Sequence, residues 1–140
     1  METSNFKRLI GVWKTSGEII SGSNNLVLSG TDSYEFILDG NYILHKAAVL
    51  MGNEKSETFE IVDIHNLSSK ATMHYFNSKG ESGKMQGEII GNNFQINGEG
   101  LKFLGTINSE NTEVVGNWLL QTDNKDWTKL IDLKLQKQKS

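Results

Sequence analysis

The chain contains no cysteine. That absence excludes disulfides, thiolate nucleophiles and cysteine-ligated zinc together, while it leaves the compartment open, because exported proteins also lack cysteines. Arginine is almost as scarce, Arg8 being the only one in the sequence. No guanidinium is therefore offered deeper in the chain to clamp a phosphate or carboxylate bidentately. Long apolar runs are missing too. Only 36% of the residues are hydrophobic, and no run approaches the roughly 18 apolar residues that span a bilayer as a helix, so no membrane association is expected. The first residues, Met1 to Asn5, lack the charged start and apolar stretch of a secretory signal, and the expectation is a cytoplasmic protein. Beyond Lys7-Arg8 and the tail from Lys134 to Lys139 there is no basic cluster, and the net charge of −3 repels polyanions weakly. Nucleic acid is not an expected partner.

What is present points to strands. Short apolar or alternating runs recur, separated by Gly, Asn, Asp and Ser clusters, as in a β-meander. They cover Val12 to Ile20, Ser33 to Leu38, Tyr42 to Met51, Thr58 to Ile64 and Ala71 to Phe76. The series continues through Lys84 to Ile90, Phe94 to Gly98, Leu101 to Ile107, Thr112 to Gln121 and Trp127 to Leu135, about ten strands in all. Turn residues such as Asp39-Gly40, Gly52-Asn53, Gly91-Asn92 and Glu99-Gly100 tolerate the positive φ of tight hairpins, so neighbours should be antiparallel. Gly98-Glu99-Gly100 is such a turn and no dinucleotide fingerprint, since Phe103 stands where that pattern needs glycine. Only Ser4 to Ile10 reads as helical, capped by Ser4 or Asn5 and too short to stand alone. An open sheet of so many strands exposes two edges, and closure removes both. The expected fold is all-β: one domain over 1–140, a closed antiparallel up-and-down barrel of about ten strands, plugged at one end by the short N-terminal helix.

The segment Leu9-Ile10-Gly11-Val12-Trp13 places a Gly-x-Trp after that helix. In this it resembles the lipocalin and calycin barrels. The stretch from Tyr34 to Leu44 looks like the second hairpin of a bacterial lipocalin-like family of unknown function. The resemblance implies that Trp13 seals the barrel floor against a basic side chain of the last strand, a role in which Lys134 fits. Two better-known relatives resemble the chain in layout only. Ten-stranded haem-binding barrels ligate iron through a histidine near the C-terminus, and no histidine follows His74 here; intracellular fatty-acid carriers hold a carboxylate with an interior arginine, and the interior has none. No cofactor is expected.

Residues paired across an antiparallel hairpin share a face, and an even loop fixes which ones pair. A two-residue Asp39-Gly40 turn pairs Tyr34 with His45 and Phe36 with Ile43. The inner face then reads Tyr34, Phe36, Leu38, Ile43, His45, Ala47, Val49 and Met51, with Ser33, Glu35 and Lys46 outside. Extended through even loops, the register adds Thr58, Glu60, Val62, Ile64, Met73 and Tyr75. In the second half it adds Met85, Gly87, Ile89, Phe94, Ile96, Gly98, Leu101, Phe103, Val114, Gly116, Trp118, Ile131 and Leu133. The inward glycines are expected to leave space, and Met51, Met85, Leu101, Trp118 and Trp127 to gather near the mouth.

The most informative constellation is the row Tyr34, His45, Glu60, Tyr75 in an otherwise apolar interior. Buried polar groups are costly unless satisfied, so such a row implies mutual hydrogen bonds, water or a ligand, and a histidine beside a carboxylate can also serve as a general base. With Phe103 and Trp118 from the second half of the register, these residues form the candidate ligand site. Three readings stay open: binding of a small, mostly apolar or amphipathic molecule, small-molecule catalysis through His45 as acid or base, or a packed interaction module. Homo-oligomerisation is a further open possibility. The register sets His65 and His74 outside and His45 inside, so a three-histidine metal site is not expected.

Overall fold

The computed structural model describes residues 4–20, 24–64 and 68–138. Among these, a 3-10 helix over Asn5–Leu9 precedes ten strands: β1 (Gly11–Ile19), β2 (Leu26–Ile37), β3 (Tyr42–Met51), β4 (Glu54–Asp63), β5 (Lys70–Asn77), β6 (Ser82–Ile90), β7 (Asn93–Gly98), β8 (Leu101–Ile107), β9 (Glu113–Gln121) and β10 (Trp127–Lys137). Each pairs antiparallel with its chain neighbours and β1 pairs with β10, which closes the barrel. The all-β closed barrel expected from the meander pattern is the observed fold.

Chain direction defines two ends. The β3–β4, β7–β8 and β9–β10 hairpins lie at one end, the mouth, while the β2–β3, β6–β7 and β8–β9 connections lie with the N-terminal helix at the other, the floor. The helix starts at Ser4, whose hydroxyl accepts the Phe6 N–H. It buries Phe6 and Leu9 completely against Trp13, and the Trp13 indole N–H donates to the Leu9 carbonyl at 2.8 Å. Arg8 ties this plug to the floor connections by donating to the Gly91 carbonyl, to Asn92 Oδ1, to the Asn108 carbonyl and to Asn111 Oδ1.

Several local expectations are corrected. The basic residue over Trp13 is Lys137, with Nζ 4.9 Å from a ring centroid, and not Lys134. Lys137 pairs directly with Trp13 across β1 and β10, whereas Lys134 is on the alternate face beside Glu113 at 3.6 Å. The Asp39-Gly40 turn is a four-residue connection, 38–41, whose even length preserves the expected pairing. Phe36 and Leu38, expected inside, are exposed: Phe36 lies beyond Tyr34, the last β2 residue paired with β1, and Leu38 is in the connection itself. Trp127, expected only to gather near the mouth, faces outward. Simple alternation puts it on the face of Ile131, but β10 carries a bulge between Lys129 and Ile131, which reverses the face. Trp127 therefore lies on the outer surface under Lys102 Nζ, 4.1 Å from its ring centroid.

The inward glycines are not all open space. A Cβ at Gly116 would sit 2.7 Å from Phe103 Cζ and one at Gly105 2.6 Å from the same atom, so the Phe103 ring lies over this glycine pair. Gly87 is covered by Met73 and Phe6 in the same way.

Candidate functional site

Backbone pairing places Tyr34 opposite His45, His45 opposite Glu60 and Glu60 opposite Tyr75, one continuous row across β2, β3, β4 and β5. Glu60 is 4% exposed and Tyr34 5%. The row is joined by two residues the sequence reading did not single out, Asp32 on β2 and Thr15 on β1. Both had a signal. Alternation back from inward Tyr34 puts Asp32 inside, and alternation on from Trp13 puts Thr15 inside, but Asp32 falls in the polar stretch Ser29-Gly30-Thr31-Asp32, ahead of the point where the second strand was expected to begin. In the barrel this stretch is wall, paired with β1 and β3.

The polar side chains satisfy one another. His45 Nε2 lies 2.6 Å from Asp32 Oδ2 and Nδ1 lies 2.9 Å from Glu60 Oε1, so both ring nitrogens meet carboxylate oxygens. The Thr15 hydroxyl donates to the other Asp32 oxygen. Tyr34 stacks on the imidazole. Burial alone pushes the His45 pKa down, but hydrogen bonds to Asp32 and Glu60 and the charges of both outweigh it and carry the group from 6.5 up to about 9. At neutral pH the ring is an imidazolium donating from both nitrogens. Burial, with the nearby charges of Asp32 and Glu60, holds the Tyr34 hydroxyl well above its usual pKa.

These residues form one side of an interior cavity of about 430 Å³. Phe94, Phe103 and Trp118 line another part of it, stepping at 5.4 Å between successive ring centroids. Met51, Met85 and Leu101 also line it, as does Tyr75. All six candidate residues, Tyr34, His45, Glu60, Tyr75, Phe103 and Trp118, thus border one space. Among the described residues no group of His, Asp and Glu side chains is arranged to hold a metal ion. His74 packs against Phe76 at 4.5 Å between centroids with the planes tilted by 33°, away from His45, and His65 lies outside the described residues. Among the described residues, no helix is long and apolar enough to cross a membrane.

No family model matches the chain, and no curated protein matches it. Solved structures do match. One is the crystal structure of Rv2717c from M. tuberculosis, which superimposes with a TM-score of 0.73 over 99% of this chain and 100% of that one at 8% sequence identity. At that identity the likeness shows a shared barrel fold alone.

Proposed function

We propose that this protein is a lipocalin-like binding barrel that takes up a small, mostly apolar molecule in its interior, with Tyr34 and Glu60 supplying the polar contacts and His45, held between Asp32 and Glu60, positioning them. The observation that carries this reading is the cavity of about 430 Å³, a size in the range of small-molecule sites and one that is mostly apolar with a few convergent polar groups. A fully packed interaction module has no use for such a space. Catalysis through His45 is less well supported, because a general base needs a free nitrogen facing its substrate, and both nitrogens here are held by carboxylates. A cytoplasmic location belongs to the same proposal and is checked by cell fractionation.

The test uses the neutral fluorophore N-phenyl-1-naphthylamine. Saturable fluorescence enhancement is expected with the unmodified protein and its loss in Ala47→Trp, where an indole occupies the cavity wall. Absence of saturable binding, or equal binding by a folded Ala47→Trp variant, overturns the reading.

A further inference from the structure

The charge balance of the cavity identifies the class of molecule it takes. Among the described residues, four side chains of the acid or imidazole type line it: Asp32, Glu60 and Glu81 as carboxylates and His45 as the base. Among the described residues, no lysine or arginine lines it. Whichever protonation state His45 adopts, carboxylates outnumber it. An anionic ligand would bring a further negative charge into an interior whose imidazolium, His45, is already shared between two carboxylates.

The deep part of the cavity shows the imbalance most clearly. His45 is shared between Asp32 and Glu60, so one positive charge faces two negative ones among buried side chains. Both Asp32 oxygens are occupied, by His45 and by Thr15. Glu60 is occupied at Oε1 only, by His45 Nδ1; its second oxygen accepts from none of the described residues, although the side chain is only 6% exposed. That second oxygen keeps accessible surface, since among the described residues only Asn117 Oδ1 is a fully buried side-chain N or O atom without a partner, so an ammonium group entering the cavity can meet it directly. The neighbour of Glu60 in the same row is Tyr75, which lines the cavity and carries both a hydroxyl and a π-face suited to an ammonium group. Glu81, at the β5–β6 connection, adds a carboxylate to the lining near the mouth.

We propose that the cavity selects a small organic ammonium ion with an apolar body, its charged end against Glu60 and Tyr75 and its body against Phe103 and Trp118. This rests on the binding reading above and goes further by assigning the sign of the ligand's charge.

Calorimetric titration at pH 7 with octylamine, 1-octanol and octanoate separates charge from shape, since the three share one alkyl body. The amine is expected to bind at least about tenfold more tightly than the alcohol, and octanoate more weakly than either. In Glu60→Gln, which keeps the shape and removes the charge, the ratio of amine to alcohol affinity is expected to fall to about threefold or less. The proposal is overturned if octanoate binds as well as the amine, if amine and alcohol bind alike, or if a folded Glu60→Gln variant keeps the full ratio. Should that variant fail to fold, the ranking of the three compounds by the unmodified protein decides the matter. If the neutral fluorophore binds but the amine does not, the charge assignment alone falls. If nothing binds, both readings fall.

Discussion

Tyr34 lies flat on His45, with ring centroids 4.1 Å apart and planes 7° from parallel. The imidazolium is thus held by a phenol ring on its face and by carboxylates at both nitrogens, an arrangement that suits a charged ring in every direction. The polar cluster is pre-organised without any ligand. His45 fixes the orientation of Asp32 and Glu60, and leaves one oxygen of Glu60 to meet whatever enters.

Stability should fall as pH rises from near 6.5 through about 9. The folded pKa of His45 is raised from 6.5 to about 9, so its contribution is fully present below the unfolded value and is lost as pH passes the folded one. At about 1.4 kcal/mol per pH unit, that contribution is roughly 3 kcal/mol. Urea unfolding at a series of pH values between 6 and 9.5 checks this against His45→Gln, in which most of the slope should vanish. An equal slope in both proteins would show that the imidazolium is not the group responsible.

Asp32→Asn removes the charge that faces His45 Nε2 and leaves one acceptor oxygen where His45 and the Thr15 hydroxyl now use two. The expected outcome is a loss of about 1 to 3 kcal/mol of stability and a fall in the His45 pKa from about 9 toward 6.5. Titration of the imidazole resonances by NMR reads the second effect directly. A His45 pKa that stays near 9 would place the dominant partner elsewhere, at Glu60.

The row Tyr34, His45, Glu60, Tyr75 was legible in the sequence because even hairpin connections fix pairing regardless of their conformation. The 38–41 connection is longer than the expected two-residue turn, yet it leaves Tyr34 opposite His45. Features that depend on more than parity were not legible. The bulge beside Leu130 has no local sequence mark and turns Trp127 outward. Asp32 sits in a polar stretch whose strand character comes from its two neighbours in the wall. The free volume is set by where side chains fold, and Phe103 covering Gly105 and Gly116 is a tertiary choice that glycine positions alone do not reveal.

The floor offers the last prediction. Trp13 is completely buried, bonded through its indole N–H to Leu9 and covered by Lys137. Lys137 also donates to the Arg8 carbonyl at 3.2 Å, and burial lowers its pKa. Trp13→Ala should therefore cost about 3 to 5 kcal/mol, the range of a large-to-small change in a core. Lys137→Met keeps the aliphatic stem and removes the ammonium, so it should cost only about 1 kcal/mol, the worth of a partly exposed cation over an aromatic ring. Urea denaturation of both variants separates burial from charge as the source of the seal. If Lys137→Met proves as damaging as Trp13→Ala, the ammonium bridge from ring to helix holds the floor; if Trp13→Ala barely moves the midpoint, the helix plug is held by Phe6, Leu9 and the Arg8 hydrogen bonds without the tryptophan.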